Sequence, residues 1–317
     1  MKALWLNQAG LQYRDDLAVP EPEAGDQLVR VNTAGLCSTD IGLLNGMYDF
    51  EGIIGHEFVG VVEQGAAELV GKRVVGEINI ACKVCDFCRA GIPKHCSQRR
   101  VLGIRKSHGA FAEYLCLPRE NIHLVPDNLS SEQAVFVEPL AAALDVLEYI
   151  DLSGDAKVLV IGDGRMGQLI ARALLTVMPS ISLLGRHPSK LDRLPQGVVK
   201  FNDAKQVQNQ GFDYVVECTG NSDGFAIALD KIKPRGSIIL KSTYPQVFHL
   251  DAGRIVVEEI RIFGSRCGDI ANALEVLAAG KIDLTNLIDA KFALQDGLQA
   301  FEWSRRKDVI KVLLYID

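Results

Sequence analysis

Residues 157–167 read KVLVIGDGRMG, a short apolar run that ends in a turn with the spacing G-x-G-x-x-G. Runs that are apolar on both faces are typical of buried parallel strands, and residues 168–177 continue as a predicted helix. Between a strand and a helix, this spacing predicts a dinucleotide-binding turn, whereas an ordinary glycine-rich loop is the alternative. The first glycine makes the tight turn, the second admits a pyrophosphate and the third lets the helix pack on the strand. The candidate cofactor-binding residues of this turn are Gly162, Gly164, Arg165, Met166 and Gly167.

The chain after the turn keeps alternating between apolar runs and helical stretches. The runs lie at residues 181–184, 214–216, 237–240 and 260–263. Strand–helix alternation of this kind predicts a doubly wound parallel sheet, so we expect an α/β protein.

The chain before the turn has a different pattern. Residues 1–125 contain short β-like runs separated by Gly and Pro, with little helical periodicity, which predicts a β-rich, barrel-like domain. A helix is predicted over 134–150, and a final strand over 309–315 is expected to return to the first domain. We therefore expect one domain from residues 1–141 and 267–317, and a nucleotide-binding domain over 142–266.

The loop after the second strand of the parallel sheet bears on the choice of cofactor. An NAD site usually has Asp or Glu about twenty residues after the turn to hold the ribose hydroxyls. Residues 184–190 read LGRHPSK instead, and the first carboxylate is Asp192. Gly185 leaves room for a 2′-phosphate that Arg186 and Lys190 could bind, which favours NADP(H) over NAD(H). A solvated run of surface cations is the alternative.

Four cysteines, at 82, 85, 88 and 96, have the spacing C-x2-C-x2-C-x7-C. Four thiolates this close in sequence can enclose one Zn²⁺ in a tetrahedral, structural site. Because such a shell leaves no position for a substrate, catalysis would need a second metal set. The candidates are Cys37, His56, Glu57 and Glu138. From spacing alone, a lone Cys or His such as Cys37 or His56 is more often a packed residue than a ligand.

Composition narrows the class of protein further. The chain has 317 residues, of which 48% are hydrophobic, with a net charge of −6, and this acidic balance argues against a nucleic-acid-binding surface. We find no apolar run of the ~18 residues that a membrane span needs, and no secretory leader is recognised, so we expect a cytoplasmic protein with reduced cysteines.

In its motifs the chain resembles zinc-dependent members of the medium-chain dehydrogenase/reductase superfamily, which includes alcohol, sorbitol and threonine dehydrogenases. The resemblance covers essentially the whole chain. It rests on GLCSTD at 35–40, GHE at 55–57, the cysteine lobe at about 80–98, GAFAEY at 109–114, VEPL at 137–140, the glycine turn and ECTG at 217–220. It implies a β-rich GroES-like catalytic domain and a Rossmann nucleotide-binding domain.

The resemblance also implies residue roles. Cys37, His56 and Glu57 match catalytic zinc ligands, and Glu138 matches a glutamate that binds zinc or its water in sorbitol-dehydrogenase-like members. Thr39 matches the hydroxyl that passes the substrate proton, and Asp40 matches the residue that orients the zinc-binding histidine. We expect Thr39 and Glu57 to be catalytic. The four cysteines match a structural zinc lobe, and Thr219 and Arg266 are further expected cofactor contacts.

The implied activity is hydride transfer between NADP(H) and a small alcohol or polyol, or the corresponding carbonyl, in a homodimer or homotetramer. One departure concerns Gly42, where many relatives have a proton-relaying histidine; the segments 42–55 and 63–72 are also shorter than usual. Alternatives are an NAD-dependent polyol or threonine dehydrogenase, a zinc-free reductase of the same superfamily, and a zinc-knuckle binding module.

Overall fold

The structure, a computed structural model, describes residues 1–152, 154–244, 247 and 250–316. The chain divides into two compact units, one formed by Met1–Glu138 with Ile270–Asp317 and the other by Pro139–Asp269. The predicted domain boundaries, at residues 141 and 267, lie within a few residues of these. None of the described helices combines the length and apolar character that a bilayer-spanning segment requires.

The helices and strands have the following bounds. The N-terminal part contains β1 Ala3–Asn7, β2 Gly10–Arg14, β3 Asp26–Gly35, α1 Ser38–Leu44, β4 Gly52–Ile53, β5 Glu57–Gln64, β6 Arg73–Gly76, β7 Asn79–Ile80, α2 Asp86–Arg89, β8 Arg100–Val101, β9 Tyr114–Pro118, β10 Ile122–Leu124, α3 Ser131–Ala134 and α4 Val137–Leu144. The middle contains β11 Val158–Ile161, α5 Arg165–Leu175, β12 Ile181–Leu184, α6 Pro188–Leu191, β13 Val198–Phe201, β14 Phe212–Glu217, α7 Ser222–Lys231, β15 Ile232–Leu240, α8 Ala252–Val257 and β16 Arg261–Gly264. The C-terminal part contains α9 Ile270–Ala278, β17 Ile288–Ala293, α10 Gly297–Ser304 and β18 Lys311–Tyr315.

The discontinuous unit is built around one long strand, β3. Its seven-stranded sheet has the order β10-β6-β5-β3-β18-β17, and β9 also pairs with β3. Gly35, at the end of β3, lies opposite Glu57 of β5 on one side and Leu313 of β18 on the other. The start of β5, the start of β18 and the loop that leaves β3 therefore meet at one end of the sheet. A buried core that includes Phe58, Phe111 and Leu117 supports this end.

The continuous unit confirms the predicted doubly wound sheet. Its six strands are all parallel, in the order β13-β12-β11-β14-β15-β16. The order changes direction at β11, whose neighbours are β12 and β14. In open parallel sheets, ligands bind beyond the carboxyl ends of the strands at such a point, and the glycine turn directly follows β11 there.

Two predictions made from the sequence differ from the structure. The single helix predicted over 134–150 is divided into α3, α4 and a 3-10 turn at Asp145–Tyr149. Pro139 explains the first break, because a proline has no N–H to bond the carbonyl four residues earlier and is tolerated only in the first turn of a helix. The strand β13 was not predicted, because the residues of Val198–Phe201 are half-buried or exposed and leave no continuous apolar run.

Candidate functional site

The side chains of Cys37, His56 and Glu57 form a buried cluster at the end of β3. Their potential ligand atoms all lie within 4.8 Å of one another. Cys37 lies two residues after the end of β3 and is the N-cap residue of α1, while His56 and Glu57 lie where β5 begins. A thiolate, an imidazole and a carboxylate at this spacing fit a zinc ion, whose bonds to such atoms are about 2.0–2.3 Å long.

Asp40 lies against two of these residues. It is fully buried, and its Oδ2 accepts a hydrogen bond from the N–H of Cys37 at 2.8 Å. Its Oδ1 lies 3.2 Å from Nδ1 of His56, which leaves Nε2 of that ring for a metal. This arrangement supports the orienting role predicted for Asp40.

The electrostatics of the cluster favour a thiolate. Burial raises the pKa of Cys37, but the hydrogen bond and charge of His56 outweigh it and lower the pKa to about 6. For His56, burial lowers the pKa, and Asp40 more than reverses this effect, so its pKa lies well above the ordinary value. A deprotonated sulfur is the form that binds a metal.

Lys311 is a residue of this cluster that sequence reasoning missed. Its ammonium forms an ion pair with Oε2 of Glu57, and the two side chains are only 2% and 1% exposed. Nζ also lies 3.4 Å from the carbonyl oxygen of Leu36 and 5.2 Å from the centre of the Phe136 ring. A Cβ at Gly35 would lie 2.6 Å from Oε2 of Glu57 and 2.7 Å from this Nζ, so the ion pair fits only because residue 35 is glycine.

The other predicted residues of the reaction lie at different distances from the cluster. The hydroxyl of Thr39 is 3.7 Å from Sγ of Cys37. Glu138 is half-buried at the second position of α4. Among the residues that the structure describes, the group of potential ligands that contains Cys37 does not include Glu138. At Gly42, a Cβ would lie 2.6 Å from the terminal methyl of Met47, so Met47 fills the space beside this residue.

The four lobe cysteines form a second group of potential ligands. Their sulfur atoms also lie within 4.8 Å of one another, and Sγ of Cys85 is 3.5 Å from Sγ of Cys88. Sulfur atoms around one zinc are separated by about 3.8 Å, given Zn–S bonds of about 2.3 Å in a tetrahedron. Backbone hydrogen bonds from Cys88 and Ser97 lower the pKa of Cys85 to about 5. The lobe therefore fits a structural zinc.

A cavity of about 460 Å³ lies at the carboxyl end of the parallel sheet. The predicted cofactor residues that line it are Gly162, Gly164, Gly185, Arg186, Lys190 and Thr219. Lys190 is only 7% exposed, whereas Arg186 is exposed. Two cations beside a glycine turn that opens the helix α5 make this cavity suitable for a phosphorylated cofactor.

Four predicted cofactor residues do not line this cavity: Arg165, Met166, Gly167 and Arg266. The role of Gly167 is packing, since a Cβ there would lie 1.9 Å from the carbonyl oxygen of Gly162. Arg165 begins α5, and the carbonyl oxygen of Arg266 accepts a hydrogen bond from Nζ of Lys241 at 2.7 Å.

Asp163, between the first two glycines, is a second residue that sequence reasoning missed. It lines the cavity and its Oδ2 accepts the backbone N–H groups of Arg186 and His187, both at 2.7 Å. Burial raises the pKa of this carboxyl, but the ring and N–H of His187 outweigh it, so the pKa lies below its ordinary value. The carboxylate is therefore ionised at neutral pH.

The chain is similar to known dehydrogenases. The family model described as the alcohol dehydrogenase GroES-like domain matches residues 23–127. L-threonine 3-dehydrogenase of Rhizobium etli (strain CIAT 652) is 29% identical, over 99% of this chain and 98% of its own length. The enzyme of the same name from Chelativorans sp. (strain BNC1) is also 29% identical, over 93% of each chain.

Solved structures show the same fold over the full length. A protein of Sinorhizobium meliloti 1021, assigned as a zinc-binding dehydrogenase and bound to NADP, has a TM-score of 0.90 at 26% identity and covers 99% of this chain and 98% of its own. Alcohol dehydrogenase TADH from Thermus sp. ATN1 has a TM-score of 0.87 at 28% identity and covers 100% of both chains. These matches support the resemblance found in the motifs: the chain is similar, over essentially its whole length, to zinc-dependent members of the medium-chain dehydrogenase/reductase superfamily. The relatives are named as dehydrogenases, which indicates an oxidoreductase.

Proposed function

We propose that the protein is a zinc-dependent dehydrogenase that transfers a hydride between NADP(H) and a small alcohol or polyol, or the corresponding aldehyde or ketone. The observation that carries this proposal is the buried cluster of Cys37, His56 and Glu57, with ligand atoms within 4.8 Å of one another. A mixed sulfur, nitrogen and oxygen set suits a catalytic zinc, which keeps one position for substrate, whereas the four-cysteine lobe suits a structural one.

Within this proposal, side chains of the protein balance charge at the site and transfer the substrate proton. Zinc and nicotinamide, when bound, would supply polarisation of the substrate oxygen and the hydride acceptor or donor. Asp40 orients the imidazole of His56, and Lys311 balances the charge of Glu57. The hydroxyl of Thr39, which lies 3.7 Å from Sγ of Cys37, would exchange a proton with the substrate oxygen. Glu138 is proposed as a further zinc or water contact.

The preference for NADP(H) is supported by the loop after β12. Arg186 and the buried Lys190 line the cavity there, and Gly185 occupies the position where NAD sites usually carry a carboxylate. The related Sinorhizobium meliloti protein was solved with NADP bound.

Metal analysis and a substrate panel test the proposal. We expect two zinc ions per chain, with one lost in Cys37→Ser and one lost in Cys85→Ser, while the matched control Cys116→Ser keeps both. Alcohols, polyols and aldehydes assayed in parallel with NADP(H) and NAD(H) should show turnover with NADP(H) at the lower KM. Full zinc content and activity in Cys37→Ser would exclude the assigned metal set, and a strong preference for NAD(H) would exclude the role of Arg186.

A second candidate substrate follows from the comparisons. The relatives named above are L-threonine 3-dehydrogenases, 29% identical over nearly the whole chain. L-Threonine therefore belongs in the panel, and a kcat/KM for threonine above that of every polyol would favour this candidate. We also propose a homodimer or homotetramer, which sedimentation of the purified protein measures directly.

A further inference from the structure

The carboxylate of Asp163 links the glycine turn to the loop after β12, a chain distance of more than twenty residues. Its side chain is 8% exposed, and its Oδ2 accepts the N–H groups of Arg186 and His187 at 2.7 Å each. The ring Nδ1 of His187 lies 3.0 Å from Oδ1. One buried carboxylate thus binds two successive amides and the imidazole of the same loop.

The packing around this carboxylate is tight. A Cβ at Gly185 would lie 2.6 Å from both Cβ and Oδ2 of Asp163, so the loop can come this close only because residue 185 lacks a side chain. The same loop carries Arg186 and leads into α6, where Lys190 lies. A residue of the glycine turn therefore contacts the loop that carries Arg186 and leads to Lys190.

Two roles for Asp163 can be distinguished. As a carboxylate that lines the cavity, it could itself bind the ribose hydroxyls, as the usual carboxylate of NAD sites does. However, both of its oxygens are already bonded to donors of the loop. These bonds favour the alternative, in which the carboxylate shapes the loop.

We propose that Asp163 is a positioning residue for cofactor selection, which fixes residues 185–187 so that Arg186 and Lys190 are held at the 2′-phosphate of NADP(H). This inference rests on the proposed preference for NADP(H). Asp163, the second residue of the glycine turn, then discriminates between NADP(H) and NAD(H) through the loop, without contacting the phosphate.

Cofactor binding by the full-length, zinc-containing protein tests the inference, with NADPH and NADH titrated separately by fluorescence. Asp163→Ala should weaken NADPH binding about tenfold to hundredfold, which is the effect expected when one hydrogen bond to a charged group is lost. The same variant should weaken NADH binding by less than about threefold. The matched variant Asp163→Asn should stay within about threefold for NADPH, because its amide oxygen still accepts both N–H groups of the loop. If Asp163→Ala does not fold, Asp163→Ser carries the same expectation.

A double-mutant cycle separates this inference from the proposed function. In an Arg186→Ala background, Asp163→Ala should add little further loss of NADPH affinity, because both changes act on the same phosphate contact. If Arg186→Ala does not weaken NADPH binding, the NADP preference itself fails. If Arg186→Ala weakens it but Asp163→Ala does not, only the role of Asp163 is overturned. Equal losses for both cofactors, or a larger loss for NADH, also overturn that role.

Discussion

Replacing Lys311 by methionine is expected to destabilise the discontinuous unit strongly. The ion pair between Lys311 and Glu57 has side chains that are 2% and 1% exposed, so water does not screen the charge that remains when one partner is removed. Breaking a buried pair in this way typically costs about 3–5 kcal/mol of unfolding free energy. We expect a loss within this range, because the positive charge of His56 offsets that of Asp40 and Cys37 nearby.

Tryptophan fluorescence is a suitable probe because the two tryptophans of the chain, Trp5 and Trp303, both lie in this unit. Urea unfolding of zinc-free protein would avoid stabilisation by bound metal. The matched control is Lys291→Met in the neighbouring strand β17, because the ion pair of Lys291 with Glu132 is 46% and 36% exposed. An exposed ion pair of this kind contributes about 0–1 kcal/mol to the free energy of unfolding.

A double variant, Lys311→Met with Glu57→Gln, should recover part of the lost stability, because no uncompensated charge stays buried. The reasoning is refuted if Lys311→Met loses no more stability than Lys291→Met. It is also refuted if the double variant is less stable than Lys311→Met alone.

Two further predictions concern the glycine turn and the free cysteines. Gly167→Ala should lower the melting temperature by several degrees, because its Cβ would lie 1.9 Å from a backbone oxygen. Gly164→Ala should fold normally and only weaken cofactor binding, because no atom lies within 4 Å of the position of its Cβ. Thermal unfolding and cofactor titration of both variants measure this difference, and equal melting temperatures would contradict it. Burial raises the pKa of Cys116 to about 11, and the charges of Asp26 and Glu23 add to this effect. Alkylation of Cys116 by iodoacetamide at pH 8 should therefore be about a hundredfold slower than in denatured protein, because the thiolate is the reactive form. The rate should increase as the pH rises toward 11. Peptide mass spectrometry measures this rate, and rapid native labelling at pH 8 would show that the thiol is not buried.

Much of the fold follows from patterns that are local in the sequence. The apolar runs at 181–184, 214–216 and 237–240 lie within β12, β14 and β15, because buried parallel strands need apolar residues on both faces. The strand β13 was missed because it lies at the edge of the sheet, where its residues are half-buried or exposed, and because Lys200 interrupts its apolar run. Pro139 was visible in the sequence, and its effect on the predicted helix was underestimated.

The site was only partly predictable. Cys37, His56 and Glu57 were identified from motifs, and the structure brings them together. Lys311 was missed because 254 positions separate it from Glu57, and only pairing of β18 with β3 brings them into contact. A signal was present, since this single lysine stands in the otherwise apolar segment VIKVLLY at 309–315. The interaction of Asp163 with the loop at 185–187 had no comparable signal, because it depends on the backbone geometry of two separate turns.

The order in which the chain is synthesised gives the ion pair at Glu57 a consequence for biogenesis. Glu57 and the other two residues of its cluster emerge early, while the cation that balances Glu57 comes from β18, after the whole nucleotide-binding unit has been made. A nascent chain that already contains the three proposed ligands therefore lacks the cation of Glu57 until β18 pairs with β3. If these residues hold zinc as proposed, the site should form only after synthesis of β18, and a ribosome-bound chain that stops before residue 311 should bind zinc at the cysteine lobe alone.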